Sequence, residues 1–267
     1  MSYKILPVLD NASLSDYENL FKKSFPGNKK LNVKYLDWIY NQNPHGKVIG
    51  YDAFFENKLA AHYAVIPRIY KFNRQKILSA LSLNTATHPN HQRKGLFTKL
   101  AKQTYRTCEN RGIKFVLGVA NQNSIFVFEK KLGFFKYGNV RIGLVRSKEI
   151  TSKQLELDIN AKWLSWRLNN PSSIYYQFNG NIYNVNKGIY FQLNDKDIDC
   201  TIPKTIKKKY TPISFKTSFS IKNHPRLVVP LKFQPSPWHV IIKKLDPILQ
   251  DSVLKSIKLD GLDMDTF

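Results

Sequence analysis

The sequence predicts an α/β (α+β) fold: a mixed central sheet flanked by helices over residues 1–150, then a second, smaller α/β half over 151–267. Three observations carry this reading. Short β-like runs alternate with amphipathic stretches through the first half. A strand, a basic glycine-containing turn and a long helix follow one another near 83–111. KYLDWIYNQNP at 34–44 is also echoed, with one gap, by KWLSWRLNNP at 162–171. A duplicated unit leaves such an echo, and so do two unrelated helices each stopped by Asn-Pro. The similar order of elements after each copy favours duplication.

Taken in order, YKILPV reads as a strand and 14–24 as a helix that begins near Ser13 or Ser15. VKYLDWIYN at 33–41 is a second helix, stopped by Pro44. VIGYDAFFE and KLAAHYAVIPRIYKF flank the turn ENK and form a hairpin. QKILSALSLNTATH continues as a strand. From 96 to 111, Phe97, Leu100, Ala101, Tyr105 and Cys108 recur at helical spacing, with Lys99, Lys102, Arg106 and Glu109 opposite and Gly112 as the stop. KFVLGVA is a buried strand, SIFVFEKKL a short helix, and NVRIGLVR the strand expected to close the first half. The second half offers one helix, KWLSWRLNNP, and strand-like pieces GIYFQL, RLVVPLKF and WHVIIKKL.

Composition narrows the function. With 42% apolar and 13% aromatic residues in 267, the chain can bury a core. Two cysteines, Cys108 and Cys200, are too few for a disulfide framework, and no metal-binding spacing occurs. Pro7 and Asp10 interrupt the N-terminus where a signal peptide needs an apolar run, and no run reaches membrane-spanning length, so the expected location is cytoplasmic. The net charge of +23 fits a polyanionic partner: a phosphorylated cofactor, a nucleotide-activated substrate, nucleic acid or an anionic membrane face. It equally fits a Lys- and Asn-rich composition spread over a solvated surface. The densest basic run, KTIKKKY at 204–210, lies far along the chain from the glycine turn.

HPNHQRKGLFTKL, residues 88–100, carries the most chemistry. A helix N-terminus has unpaired N–H groups and a positive dipole end, and a turn that aims more N–H groups the same way makes an anion site. Gly95 permits such a turn, and Arg93, Lys94 and Lys99 add charge. A phosphate or pyrophosphate is the ligand such a turn would take. No G-x-x-x-x-G-K-[ST] and no G-x-G-x-x-G after a strand is present, which excludes the P-loop and disfavours a dinucleotide fold.

The run from 87 to 134, THPNHQRKGLFTKLAKQTYRTCENRGIKFVLGVANQNSIFVFEKKLGF, resembles the GNAT superfamily of N-acetyltransferases. That family's acyl-CoA motif, Q/R-x-x-G-x-G/A after a strand ending near His-Pro, falls on Gln92, Gly95 and Phe97. Its second motif falls on Asn121 or Asn123, Phe128 and LGF at 132–134. The resemblance implies a GNAT-like sheet and acetyl-CoA as acyl donor; if the internal echo marks a duplication, the second half is a degenerate GNAT-like copy. By position, it implies that Thr85, Ala86 and Thr87 pair with the pantetheine arm and that Gln92, Arg93, Lys94, Gly95, Leu96, Phe97 and Thr98 hold the pyrophosphate. Asn121 and Asn123 would contact the cofactor at the next helix. The slot for the thioester would open between LNTAT and VLGVA.

The sequence departs from the family at the acid. Many members place a tyrosine four residues before the glycine of LGF, where this chain has Glu129, with Phe128 beside it. Candidate bases are Glu56, His62 and His88, and the C-terminal groups Asp263, Asp265 and the carboxylate of Phe267. In two duplicated GNAT-type groups, the N-myristoyltransferases and the mycobacterial enhanced-intracellular-survival acetyltransferases, the chain's own carboxylate is the base. A buried structural histidine and a frayed acidic tail are the plain alternatives. The expected reaction is acetyl-CoA-dependent N-acetylation of a small-molecule primary amine. QNPHGKVIG, AHYAVIP and HPNHQRKGLF look like bacterial GNAT proteins of surface-polysaccharide assembly, which suggests an amino sugar or nucleotide-linked amino sugar. Two rivals stand beside this: a Fem-like aminoacyl transferase that uses tRNA, and a non-catalytic CoA-binding GNAT-fold protein. The intact pyrophosphate turn disfavours the tRNA enzyme. A peripheral contact with an anionic membrane stays open, as does the oligomeric state.

Overall fold

The computed structural model describes residues 2–144, 154–178, 181–186, 189–194, 214–218, 227–228, 238–259 and 261. In chain order the elements are β1 (Lys4–Pro7), α1 (Leu14–Ser24), α2 (Val33–Asn41), β2 (Ile49–Phe55), β3 (Lys58–Phe72), β4 (Gln75–Thr87), α3 (Leu96–Asn110), β5 (Phe115–Ala120), α4 (Gln122–Leu132), β6 (Phe135–Asn139) and β7 (Arg141–Leu144). Then come β8 (Glu156–Leu157), α5 (Ala161–Leu168), β9 (Tyr175–Phe178), β10 (Asn181–Asn186), β11 (Ile189–Gln192), β12 (Ser214–Ser218), β13 (Leu227–Val228), β14 (His239–Lys244) and α6 (Asp251–Lys255).

Local chemistry explains the boundaries. Ser13 and Asp16 form a reciprocal capping box at α1. Asn32 caps α2 and Asn160 caps α5, each accepting the amide three residues on. Two tight hairpins have both central residues left-handed: Glu56 and Asn57 at φ 48 and 60, then Asn73 and Arg74 at φ 50 and 68. That is the twist a two-residue loop needs between right-twisting strands.

The first sheet runs β1-β2-β3-β4-β5-β14-β6, with β8 added on β3 beyond the end of β2. Its neighbours are antiparallel except β4 and β5, which are parallel. Helices α1 and α2 cover one face, where Tyr17, Leu36 and Ile39 pack with Ile66, Phe115 and Ile242. Helix α3 covers the other, where Leu100, Tyr105 and Cys108 pack with Val65, Val116 and Ile241. The alternation of Val240, Ile241 and Ile242 between the two cores is the period-2 signature of a strand covered on both sides.

The second sheet runs β9-β10-β11-β12-β7-β13. Along it, the pairs are antiparallel, antiparallel, parallel, antiparallel, antiparallel. The series β2-β3-β4-β5-β14-β6 has the same orientations in the same order. In each sheet the fifth strand of that series comes from the other half of the chain. This corrects one expectation. NVRIGLVR does not close the first sheet; Arg141–Leu144 pairs with β12 and β13. The place between β5 and β6 is taken by HVIIKK at 239–244, whose Val240, Ile241 and Ile242 are fully buried there.

Helices α2 and α5 meet through an almost symmetric tryptophan pair. The Trp38 and Trp166 rings stack at 4.6 Å and 13°. Trp38 Nε1 donates to the Trp166 carbonyl at 2.8 Å, and Trp166 Nε1 donates to the Trp38 carbonyl at 3.0 Å. Each indole thus buries its ring and satisfies its one donor on the partner helix.

Candidate functional site

The site begins where β4 and β5 separate. Their pairing runs from Ser79–Phe115 to Ser82–Gly118 and stops. Beyond it β4 stays with β3 as far as Thr87, opposite Ala61. β5 stays with β14 as far as Ala120, opposite His239. The two parallel strands therefore diverge, and no described strand pairs with the β5-facing edge of residues 83–87. A register shift between His62 and Ala64 marks a bulge that holds Asn84 and Thr85, and Asn84 takes φ 52.

A cavity of about 800 Å³ opens at this divergence. Ser82, Leu83 and Asn84 line its floor with Gly118 and Val119 opposite. Thr85, Ala86 and Thr87 continue one wall, and Asn121, Asn123 and Phe128 stand on the α4 side. The far wall draws on both halves: Ser24, Lys30 and Tyr35 from the first, and Asn170, Ser172 and Ser173 from the second. Ser172 Oγ donates to the Lys30 carbonyl at 2.9 Å, which ties the two halves at the rim. Among the described residues, no carboxylate lines this cavity.

One end of the cavity leads to the basic turn. After a single 3-10 turn at Pro89–His91, Arg93 and Gly95 both take left-handed backbone, φ 60 and 73. Gly95 is the N-cap of α3 and has no side chain with which to bond the first amides. Those N–H groups therefore receive no side-chain cap from Gly95, as an anion-binding helix end requires. A Cβ added at Gly95 would meet nothing within 4 Å, so conformation and not space calls for glycine. Gln92 Nε2 donates to the Thr87 carbonyl at 3.4 Å and ties the turn to the end of β4.

The residues expected from sequence fall into three groups. Thr85, Ala86, Thr87, Gln92, Arg93, Phe97, Asn121 and Asn123 line the cavity. Lys94, Gly95, Leu96 and Thr98 belong to the turn but not to the lining; Leu96 is buried in the core beneath. Asn121 has a further task, because its Oδ1 caps α4 through the amides of Asn123 and Ser124. Phe97 packs edge-on against Phe128, with ring centroids 5.2 Å apart.

None of the described proton-transfer candidates lines the cavity. Glu129 is half-buried on α4 and is not part of the lining. Its neighbour Phe128 lines the cavity instead, packed on Phe134. Glu56 occupies the β2–β3 turn. His88 heads the 3-10 turn, where its ring accepts from the Asn90 amide, and burial holds its pKa below the ordinary value. Phe267, Asp263 and Asp265 lie outside the described residues.

His62 belongs to a buried chain of polar groups. Its Nδ1 is 2.7 Å from Asp52 Oδ1, and its Nε2 is 2.8 Å from the Tyr40 hydroxyl. Tyr17 donates to Asp52 Oδ2 at 2.6 Å while accepting from the Leu9 amide. Burial raises the pKa of both Tyr17 and Tyr40, so both keep their protons. At the other end, Asn84 Nδ2 donates to the Tyr40 oxygen at 3.3 Å. The chain thus runs from the core to the cavity floor. Sequence reasoning singled out His62 but missed Asp52, Tyr40 and Asn84. The signal present was an acid inside the apolar run GYDAFF, one strand away from AAHYAV.

Residues 8–134, just under half of the chain, match a family model of the acetyltransferase (GNAT) domain. A search of curated proteins finds no match. Among solved structures, a candidate acetyltransferase of Pyrococcus horikoshii superposes at a TM-score of 0.55 with 11% identity, covering 96% of this chain and 94% of that one. A GCN5-related N-acetyltransferase of Anabaena variabilis gives 0.53 at 12% identity over 92% and 73%. A candidate N-acyltransferase of Enterococcus faecalis gives 0.53 at 11% identity over 72% of this chain, which spans only 57% of the Enterococcus protein. At these identities the likeness is one of fold: a mixed sheet flanked by helices.

Proposed function

We propose that the chain transfers an acetyl group from acetyl-CoA to a primary amine, a reading supported by the match of residues 8–134 to the GNAT acetyltransferase domain model. The observation that carries this is the divergence of β4 from β5 after Ser82–Gly118, with Gln92, Arg93 and Phe97, which flank a helix N-terminus without a side-chain cap, lining the same cavity. The two features fit an acyl-CoA: an open strand edge for an amide-bearing arm and a cationic, amide-rich turn for a pyrophosphate. The outer amides of the Gln92–Thr98 turn would hold the phosphates, with Arg93 and Lys94 adding charge. The open edge of Thr85–Thr87 would hydrogen-bond the arm. The thioester, when bound, supplies an activated acetyl group and a thiolate leaving group.

The chain's own part is placement. Fixing amine and thioester side by side replaces a two-body encounter with a one-body step, and this is the largest source of acceleration available here. The cavity lacks a described carboxylate, so an uncharged amine, formed before it enters, suits the site better than an ammonium. The polar far wall of Lys30, Asn170, Ser172 and Ser173 suits a hydroxyl-rich acceptor, and an amino sugar or a nucleotide-linked amino sugar is our reading of it. In this reading residues 151–267 complete the acceptor wall. They also descend from a duplication, supported by the paired tryptophans 38 and 166, the matching Asn caps and the matching order of strand orientations.

The test is release of free thiol from acetyl-CoA across amino sugars, their nucleotide forms, aminoglycosides and lysine peptides. Calorimetry runs beside it on wild type and Gly95→Trp. The expected result is wild-type binding of acetyl-CoA at the micromolar level that Gly95→Trp abolishes, with thiol release for at least one amine. Wild-type protein that binds no acetyl-CoA overturns the reading.

A further inference from the structure

We propose that Asn84 is the group that orients the acceptor amine, presenting its side-chain carbonyl to an amine N–H, and that Asp52, His62 and Tyr40 fix the carboxamide in that sense. The inference rests on the acyl-transfer reading above and names the residue that receives the second substrate.

The direction of each hydrogen bond follows from its neighbours. Asn84 turns Nδ2 toward Tyr40, so the Tyr40 oxygen accepts there. The one Tyr40 proton is then given to His62 Nε2. With Nε2 an acceptor, the ring proton of His62 sits on Nδ1 and is donated to Asp52 Oδ1. Asp52 also accepts from Tyr17, whose oxygen is taken by the Leu9 amide. Every donor in the chain points toward the Asp52 carboxyl oxygens. The bonds joining Tyr17, Asp52, His62 and Tyr40 are buried, where a mismatched pair of donors or acceptors costs a full desolvation penalty, and the Leu9 and Asn84 bonds at the two ends are part-buried.

What this leaves is an oriented amide. Asn84 Oδ1 has no hydrogen-bond partner among the described residues, and Asn84 lines the cavity at the bulge where β4 has just parted from β5. The cavity has no described carboxylate to take an amine proton donor. A carbonyl oxygen at the divergence is the acceptor that an attacking amine needs to aim its lone pair away from the wall and toward the slot. Asn84 binds substrate in this scheme. Tyr40 and His62 are positioning residues that never touch it.

Asn84 has φ 52, so Asn84→Gly removes the carboxamide while keeping a backbone that glycine accepts freely. The acceptor used is the amine with the fastest thiol release in the panel above. The expected result for Asn84→Gly is a KM for that amine at least tenfold higher, with acetyl-CoA affinity by calorimetry within twofold of wild type. Tyr40→Phe, which frees the amide to rotate, is expected to raise the same KM by a smaller factor and again spare acetyl-CoA affinity. Nitrogen-15 NMR of the imidazole in wild-type protein should show His62 protonated on Nδ1 alone. An unchanged amine KM in Asn84→Gly, or a His62 proton on Nε2, overturns the proposal. So does wild-type protein that binds acetyl-CoA and acetylates no amine. Failure of wild type to bind acetyl-CoA at all is the separate failure of the underlying reading.

Discussion

Arg93 combines a strained backbone with a place on the cavity lining, as a residue held for its charge would. It sits at φ 60 in the turn before α3, in left-handed backbone that a non-glycine side chain resists. Two effects of Arg93→Gly should therefore part company. The variant should melt higher, by about 0.5–1 kcal/mol of relieved strain. It should also bind acetyl-CoA several-fold more weakly, with less loss of affinity as salt rises. Thermal melts and calorimetry at two ionic strengths separate the two, and a variant unchanged in affinity removes Arg93 from the phosphate site. The glycine and the cations of this turn were legible in the sequence, because helix-end chemistry depends on residues adjacent in the chain. The partner of His62 was not. Counting back from the ENK turn without interruption sets Asp52 opposite Ala61. The shift in register between Ala53 and Phe54 moves it to His62, and nothing local in GYDAFF announces that shift.

Among elements, the α2–α5 contact is the one most open to measurement. Trp38→Phe keeps the stacked ring but removes the indole donor to the Trp166 carbonyl, which retains the Asn169 amide. The expected loss is about 0.5–1.5 kcal/mol in denaturant titrations. A loss below a few tenths would mean that the reciprocal bonds contribute little. His45, after α2, stacks on Trp163 of α5 with centroids 6.1 Å apart and accepts from the Ile69 amide. Burial, then the nearby Arg68 charge, pushes its pKa down to about 4. The folded state thus resists a proton that the unfolded chain takes up near its ordinary value of 6.5. Stability should be flat above that pH and fall as pH drops from 6.5 toward 4. His45→Gln should remove this part of the acid slope, on the order of 2 kcal/mol or less given the partial exposure of the ring. Parallel slopes for the two proteins would show that His45 titrates as it does in the unfolded chain. Both helices could be read from their apolar spacing and Asn caps, since those are properties of a few consecutive residues. Their contact across 128 positions could only be suspected from the echo.

For the whole molecule, the exchange of strands has the largest consequence. β14 fills the place between β5 and β6, and its Val240 and Ile242 join one core while Ile241 joins the other. Without it, β5 and β6 each lose a partner and both cores lose side chains. Residues 1–150 expressed alone should therefore fail to fold, although they carry the whole cofactor motif. Co-expression with 151–267 should restore a soluble, cooperatively unfolding species. A fragment 1–150 that melts cooperatively by itself would show that β14 is dispensable.

The amino-acid sequence by itself determined helices α1 to α5, the hairpin at Glu56–Asn57, the strand–turn–helix unit around Gly95 and the resemblance to an acyl-CoA fold. Each depends on neighbours within one or two turns of chain, where periodicity, capping and glycine act directly. Only the tertiary structure decided which sheet each short apolar strand joins, because NVRIGLVR and WHVIIKKL are alike in composition and the strands that pair with them lie far away in sequence. It also decided that His62 is sealed in the core and reaches the cavity through Tyr40 and Asn84. That outcome depends on a bulge, a register and a long-range contact together, and hydrogen-bond direction exists only once all three are in place.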